Sequence, residues 1–393
     1  MIPVLTNYKN KINVGKIPVF LSNRFKLYSN ESKYICYLGE DKGQRVFSHS
    51  EENKKLNYED WLSYIEINDE IIKDINSNNC LLLIGDIAEG FDFDIIKKSL
   101  DKFLHKFNIK KSNVMYFNGT FPIESFYDNN VFYCKSGFVW SKELYLDPIR
   151  KIYGETFWYD ILYSREENRK NNNFEYDFIN LNHAYRYHRH YVAIKIFSDN
   201  FFVNNKKTIV TWHANNSKLP AKKDISKFKE WHNDVNLNYN TFNHMISRYS
   251  PYANTNKFFD SITSIDKENY INVMMGIVNE TWLEGTDCYP TEKIIKQLLT
   301  GQPFVLIGRY KTIEYLRNEG FYVYDDLIDH SYDNELDPFI RIEKALLSAK
   351  KFDIDRYQKN FNINNVIKNI KLFSPDRYYN ILTNNIIKKF INM

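Results

Sequence analysis

A lysine at a predicted helix start is the clearest chemical signal in this sequence. Lys293 follows Thr291, a typical N-cap residue, and the apolar spacing over 294–299 predicts a helix that ends at Gly301. Free backbone N–H groups at a helix N-terminus attract anions, and a lysine in the first turn adds a positive charge. The segment therefore indicates phosphate binding and favours a nucleotide-linked substrate.

A second basic pair follows another predicted strand. The pattern over 176–181 predicts this strand, and the pattern over 184–197 predicts a helix after it. Arg186 and Arg189 are three residues apart, which places them on one face of that helix. Asn182 lies where the strand ends. The segment therefore places two cations and an amide beyond the carboxyl end of a strand.

A continuous apolar strand is predicted over 271–278, and it leads to Asn279 and Glu280. Ligands in open α/β sheets gather at the carboxyl ends of the strands, which meet at one edge of a parallel sheet. We therefore expect this strand end, the basic pair and Lys293 at the same edge. This convergence is the main functional inference from the residues alone.

Strand and helix patterns alternate along the chain, which predicts an α/β fold. The patterns over 80–84, 93–104 and 114–117 form a strand–helix–strand unit, which favours a parallel sheet. Further strands are predicted over 19–21, 34–38, 208–212, 304–307 and 321–324, and further helices over 58–67, 224–247, 312–317, 340–349, 364–372 and 377–390.

The length of 393 residues exceeds one ordinary hydrophobic core, so two domains are expected. The polar segment 165–173 is the predicted boundary between them. We therefore expect an N-terminal α/β domain over 1–170 and a second α/β domain over 171–355. C-terminal helices over 356–393 are expected to pack on the body of the protein.

Composition restricts the class of protein. With 43% hydrophobic and 26% charged residues the chain is globular, and a net charge of +4 without a basic stripe argues against nucleic-acid binding. An AT-rich genome would explain the 30 Tyr and 29 Phe without any functional cause. A single tyrosine is therefore weak evidence for a functional role. The cysteines are widely spaced and lack a metal-binding pattern, which indicates reduced thiols in a cytoplasmic protein: Cys36, Cys80, Cys134 and Cys288.

Only one segment of the sequence suggests contact with a membrane. No stretch approaches the length of an apolar transmembrane helix, and no signal-peptide pattern stands at the N-terminus. Residues 385–391 are apolar and basic, so peripheral contact with a membrane surface is one interpretation. The other interpretation is a last helix that packs on the protein.

The residues around Lys293 resemble the donor-binding motif of the α1,3-fucosyltransferases, in which an acidic-and-amide pair precedes a Tyr-x-Thr-Glu-Lys block. The sequence is more similar to glycosyltransferase-like proteins of phages and giant viruses. Their motifs Thr-Glu-Lys, Gly-x-Pro-Phe, Leu-Arg-x-x-Gly-Phe and Asp-x-Ser-Tyr-Asp occur here in the same order, at 291–293, 301–304, 316–321 and 329–333. Residues 181–189 are similar to the family's Leu-Asn-Arg segment that ends in His-Arg, with His183 in place of the usual arginine.

The resemblance covers about 178–341, and the first half of the chain matches only through a Rossmann-like unit. It implies a GT-B-like architecture, in which two Rossmann-like domains face a central cleft. The second domain would bind a nucleotide-diphosphate sugar, and the first would bind a glycan or another hydroxyl acceptor. The resemblance also implies an inverting enzyme that requires no metal or other cofactor and acts in the cytoplasm of an infected host cell.

The resemblance suggests roles for the main residues of the donor site. Lys293 and Arg189 would bind the diphosphate, and Lys293 would neutralise the charge that develops as it leaves. Glu292 and Glu280 would hold ribose or sugar hydroxyl groups, and Tyr289 would contact the nucleoside. The full donor-binding set is Arg189, Lys293, Glu292, Glu280, Arg186, Asn182, Thr291 and Tyr289.

Inverting transfer also needs a base that accepts the proton of the acceptor hydroxyl group. Glu89 is the predicted base, because it lies in the loop that follows the strand over 80–84. Asp86 lies in the same loop and is the second candidate. Both carboxylates would face the cleft from the carboxyl end of their strand.

Three alternatives remain open at this stage, and a zinc site is not among them. Asp92 and Asp94 match the metal-binding DxD of another glycosyltransferase fold, although Asp92 also suits a helix start. The histidines at 183, 188 and 190 are close together but lack ligand spacing for zinc, so no metal is predicted. The acceptor could instead be a modified base of viral DNA. The chain could also bind nucleotide sugars without turning them over.

Overall fold

The computed structural model describes residues 4–6, 34–39, 67, 69–86, 93–118, 126–135, 147–182, 186–204, 206–211, 264–284, 288, 290–373 and 375–393. The chain divides into two compact units. The first comprises Met1–Glu143, Asp287–Tyr289 and Pro375–Met393, and the second comprises Leu144–Thr286 and Pro290–Ser374. Each unit is built on a sheet of mainly parallel strands, so the predicted α/β class is confirmed.

The described strands of the first unit are β1 (Val4–Thr6), β2 (Tyr34–Gly39), β3 (Cys80–Asp86), β4 (Val114–Asn118), β5 (Phe126–Asp128) and β6 (Val131–Lys135). They form one sheet in the order β1-β2-β3-β4-β6-β5, and only the β5–β6 pair is antiparallel. Helices α1 (Asp69–Asn76) and α2 (Phe93–Lys106) accompany it. The predicted unit β3-α2-β4 is confirmed, and its buried core includes Leu82, Ile84, Leu100 and Phe103.

The second unit carries a four-stranded parallel sheet. Its strands are β7 (Tyr176–Asn180), β8 (Thr208–Val210), β9 (Val273–Asn279) and β10 (Phe304–Ile307). Their order is β10-β9-β7-β8, so the chain extends the sheet first on one side of β7 and then on the other. The carboxyl ends of β7 and β9 therefore form a topological switch point, the usual ligand position in such sheets.

The described helices of the second unit are α3 (Asp147–Tyr153), α4 (Phe157–Lys170), α5 (Tyr187–Ser198), α6 (Asn200–Asn204), α7 (Glu268–Ile271), α8 (Glu292–Thr300), α9 (Thr312–Asn318), α10 (Pro338–Lys350), α11 (Ile354–Asn360) and α12 (Ile363–Leu372). Helix α8 packs against β9, α4 and α12, and α10 packs on the edge strand β10. The predicted helices that correspond to α8, α9, α10 and α12 are confirmed.

Helix α8 begins and ends as its sequence predicts. The Thr291 hydroxyl oxygen accepts a hydrogen bond from the Lys293 backbone N–H, which is the N-cap interaction. Gly301 ends the helix with a φ of 79°, a conformation that glycine adopts at little cost. The apolar face is buried, and it consists of Ile294, Ile295, Leu298 and Leu299.

The polar segment at 165–173 is not a linker. Its first residues belong to α4, and the Arg165 side chain is only 1% exposed. The Arg165 guanidinium donates to the carbonyl oxygens of Gly301 and Val273, at 3.0 and 2.5 Å, and also to those of Tyr270 and Met274. Because these bonds join α4 to the second sheet, the division between the units follows Glu143, not residue 170.

The predicted strand over 321–324 is a loop in the structure. The Asn369 side chain provides the hydrogen bonds that a neighbouring strand would supply. Its oxygen accepts from the Tyr322 backbone N–H at 2.8 Å, and its nitrogen donates to the Tyr322 carbonyl oxygen at 3.0 Å. Tyr324 has a φ of 68°, which interrupts an extended conformation.

Two predicted elements start a few residues later than expected. Helix α5 begins at Tyr187, and β9 begins at Val273 because Ile271 ends α7. Arg186 is extended (φ −144°, ψ 140°) and precedes the helix, so it does not share a helical face with Arg189. The predicted elements over 19–21 and 224–247 lie outside the described residues, and so does the helix predicted over 58–67 apart from Ile67.

The last helix of the chain is α13 (Pro375–Ile391), which confirms the helix predicted over 377–390. It belongs to the first unit and contacts β6, whereas α11 and α12 belong to the second unit. Leu382 and Ile386 are fully buried, and the Lys389 ammonium lies 4.8 Å from the centre of the Tyr127 ring. Of the helices that the structure describes, none is long and apolar enough to cross a bilayer.

Candidate functional site

Three asparagines connect the strand ends at the switch point. The Asn182 amide donates to the Asn180 side-chain oxygen at 2.6 Å, and the Asn279 amide donates to the Asn182 side-chain oxygen at 2.9 Å. Asn180 also donates to the Ile277 carbonyl oxygen at 2.7 Å. All three side chains are buried. Asn182, predicted to bind the donor, therefore holds the ends of β7 and β9 together.

Glu280 follows β9 and joins it to the start of α8. Its carboxylate accepts hydrogen bonds from the Thr291 backbone N–H at 3.0 Å and from the Thr291 hydroxyl group at 2.5 Å. Burial raises the pKa of Glu280, while the Lys293 charge and the Thr291 hydrogen bonds act in the opposite direction. The carboxylate is thus engaged inside the protein, where it fixes the helix start.

Lys293 lies in the first turn of α8, as predicted. Its ammonium nitrogen is 3.3 Å from the Thr281 hydroxyl oxygen, 3.1 Å from the Thr291 hydroxyl oxygen and 2.8 Å from a Glu292 carboxylate oxygen. The Lys293 side chain is 25% exposed and that of Glu292 is 11% exposed. Burial acts to raise the pKa of Glu292, but the Lys293 ammonium lowers it overall. The two residues form a half-buried ion pair.

His188 and Arg189 approach the same segment from the first turn of α5. His188 Nε2 lies 2.9 Å from the Glu280 carbonyl oxygen, and Arg189 Nη2 donates to this oxygen at 3.4 Å. A carbonyl oxygen only accepts, so His188 carries its proton on Nε2. Burial lowers the pKa of His188 to about 3, and the Arg189 charge acts in the same direction. The imidazole is therefore neutral at physiological pH.

The structure brings the two principal cations of the predicted site to one place. Arg189 contacts the Glu280 carbonyl oxygen, and Lys293 contacts the hydroxyl group of Thr281, the next residue. Each cation lies in the first turn of its helix, α5 or α8. The convergence predicted from the strand ends thus occurs, and ligand binding by these residues stays a prediction.

Trp282 and Arg309 extend this region, and neither was predicted. The Arg186 guanidinium lies 5.2 Å from the centre of the Trp282 ring system, and the Arg309 guanidinium lies 5.9 Å from it. Arg309 follows β10 and donates to the Glu284 carbonyl oxygen at 2.8 Å. Its position just beyond a strand end is the signal that could have identified it, because the same rule had selected Glu280.

Several predicted residues lie outside the described part of the chain. These are the base Glu89 and the nucleoside contact Tyr289, together with His183 and Asp92. Asp86 ends β3, and its backbone is described. Within the described ranges, the structure contains no group of three His, Cys, Asp or Glu side chains placed to hold a metal ion.

The Asp-x-Ser-Tyr-Asp motif has a structural role in the second unit. The Tyr332 hydroxyl oxygen accepts from the Leu306 backbone N–H at 2.8 Å, and it lies 2.8 Å from His330 Nδ1. His330 Nε2 lies 2.7 Å from the Val323 carbonyl oxygen. This chain of hydrogen bonds satisfies an amide of the edge strand β10. The motif therefore supports the sheet that carries the site.

Comparison with known proteins gives little further information. No protein-family model matches the chain, and no curated protein sequence matches it. Among solved structures, the chain is similar to an α,α-trehalose 6-phosphate synthase from Burkholderia multivorans, with a TM-score of 0.43 and 8% sequence identity. The similarity covers 91% of this chain and 71% of that protein. A likeness of this extent carries no argument about activity.

Proposed function

We propose that this protein is a glycosyltransferase that moves a sugar from a nucleotide-diphosphate sugar to a glycan or another hydroxyl acceptor. One observation carries the proposal: Arg189 and Lys293 reach the single segment Glu280–Thr281 at the switch point of the second sheet. Two cations beside two helix starts suit a diphosphate. Among diphosphate ligands, the order of motifs over 291–333 favours a sugar nucleotide.

The proposed mechanism is an inverting transfer without a metal ion. Lys293 and Arg189 stabilise the negative charge that develops on the leaving diphosphate. Arg186, Glu292 and Tyr289 complete the contacts with the donor. Thr291, Glu280 and Asn182 serve as the framework, because their polar groups bind one another or the neighbouring strand end. Glu89 is the proposed base for the acceptor hydroxyl group.

The donor site can be tested by differential scanning fluorimetry with GDP, UDP and ADP, and with CMP as the monophosphate control. We expect one diphosphate to raise the melting temperature of the unmodified protein, because ligand at about a hundred times Kd stabilises a protein by about 2.7 kcal/mol. Lys293→Ala should abolish this shift, because the ammonium is the proposed diphosphate contact.

The matched control is Lys344→Ala. Lys344 also forms a 2.7 Å ion pair with a glutamate, Glu335, but it is exposed on α10. The shift should persist in this variant. If no diphosphate stabilises the unmodified protein, or if both variants retain the shift, the donor site is not at Lys293.

A further inference from the structure

Lys293, the proposed diphosphate contact, is already surrounded by protein oxygens. An ammonium group has three N–H donors. The hydroxyl groups of Thr281 and Thr291 lie 3.3 and 3.1 Å from the Lys293 nitrogen, and the Glu292 carboxylate lies 2.8 Å from it. These three acceptors match the three donors. An incoming phosphate must therefore replace at least one of them.

Thr291 is poorly suited to be the acceptor that is replaced. It caps α8, and its hydroxyl group donates to the Glu280 carboxylate at 2.5 Å. Displacing Thr291 would therefore leave a buried carboxylate and a helix end without their partners. The hydroxyl group of Thr281 is neutral, so it competes only weakly with a phosphate for the ammonium.

Glu292 has the properties of the group that is exchanged. It is the shortest contact of Lys293 and the only charged acceptor among the three. Its carboxylate is also stabilised by its own backbone N–H at the helix start and by the charge of Lys296. These two interactions do not involve Lys293, so both stay in place after the Lys293 ammonium turns to a ligand.

We propose that Glu292 is an internal anion that occupies Lys293 while no donor is bound, and that the donor diphosphate exchanges with it. This inference rests on the proposed function of the site. The exchange lowers the affinity for the diphosphate, because one ion pair is broken for each one formed. When the product diphosphate leaves, Glu292 recaptures the ammonium. The residue thus promotes product release.

The experiment is a calorimetric titration with inorganic pyrophosphate, which carries the charge of the ligand without a nucleoside or sugar. Glu292→Gln keeps the shape of the side chain and removes the competing charge. We expect this variant to bind pyrophosphate about tenfold more tightly than the unmodified protein, since a partly buried ion pair no longer has to be broken. Glu335→Gln removes the carboxylate of the exposed Lys344 pair and should leave the affinity unchanged.

The titration distinguishes failure of the proposed Glu292 exchange from failure of the proposed donor site. If the unmodified protein binds pyrophosphate and Glu292→Gln binds it no more tightly, Glu292 is not an internal competitor, although the anion site stands. If neither protein binds pyrophosphate, the site itself is wrong and the exchange falls with it. Should Glu292→Gln fail to fold, Glu292→Asp replaces it, because the shorter carboxylate retreats from Lys293. Tighter binding by that variant supports the exchange, and equal or weaker binding contradicts it.

Discussion

Buried and partly buried cations of the second unit serve two different purposes. Arg165 donates to backbone carbonyl oxygens of α7, β9 and the end of α8, so it joins elements that are more than a hundred residues away in the sequence. Arg189 and Lys293 instead occupy the first turns of two helices at the carboxyl edge of the sheet. Burial alone does not separate these purposes. The number and position of the acceptors do, because Arg165 binds several carbonyl oxygens on different elements, whereas Arg189 binds one at the switch point.

Replacement of Arg165 tests its structural role. Arg165→Met should lower the free energy of unfolding by at least about 3 kcal/mol, because several buried carbonyl oxygens lose their donor. Arg317→Met is the control, since its bidentate pair with Asp325 is half-exposed and should contribute no more than about 1 kcal/mol. Chemical denaturation of both variants measures the difference. Equal losses of unfolding free energy in the two variants would show that Arg165 does not hold these elements together.

At the scale of the element, the sequence correctly predicted the helices and strands that are determined by residues within the segment itself. Helix α8 carries its own N-cap, apolar face and terminal glycine, and β9 is a continuous apolar run. The segments at 165–173 and 321–324 were interpreted wrongly, because their hydrogen-bond partners are distant in the sequence. Gly301 lies 136 residues after Arg165, and Asn369 lies 47 residues after Tyr322.

The same distinction applies to the candidate site. The rule that parallel strands end at one edge was enough to bring Arg189 and Lys293 together. It could not show that the Glu280 carboxylate accepts a hydrogen bond from Thr291 at the start of α8. Nor could it show that the Lys293 ammonium already has three acceptors. Side-chain partners of this kind depend on rotamers and burial, which residue order does not specify.

The start of α8 connects helix stability to ligand binding, and Thr291→Ala tests this connection. We expect a loss of about 1 kcal/mol in the free energy of unfolding, because the N-cap oxygen is removed. We also expect weaker pyrophosphate binding, because Glu280 and Lys293 lose a shared partner. Denaturation and calorimetric titration measure the two effects.

Asn362→Ala is the matched control for this prediction. Asn362 caps α12, and its side-chain oxygen accepts from the Asn364 backbone N–H at 3.0 Å. A similar loss of stability is expected in this variant, with unchanged pyrophosphate binding. If Thr291→Ala binds pyrophosphate as the unmodified protein does, the helix start does not organise the site.

At the scale of the whole molecule, the chain does not divide at one point. It leaves the first unit after Glu143, and its last helix, α13, returns to that unit. The predicted group of C-terminal helices over 356–393 is therefore split, because α12 packs on α8 in the second unit and α13 contacts β6 in the first. The first unit thus combines stretches from both ends of the sequence.

Removal of α13 tests this assignment. A chain that ends at Ser374 loses the buried side chains of Leu382 and Ile386, which belong to the core of the first unit. Hydrogen exchange should therefore speed up in β3, β4 and β6, while β9 and β10 keep their protection. A chain that lacks only Asn392 and Met393 serves as the control. Faster exchange in both sheets, or in β9 alone, would contradict the division into units.

The neutral imidazole of His188 has a consequence for how the second unit responds to its surroundings. A fall of one or two pH units from neutrality does not add a second proton to this ring, because the pKa of His188 is about 3. The ring therefore keeps its bond to the Glu280 carbonyl oxygen and adds no fresh charge next to the arginine that follows it. Any dependence of anion capture on acidity in that range would have to originate elsewhere, first of all in the phosphate groups themselves.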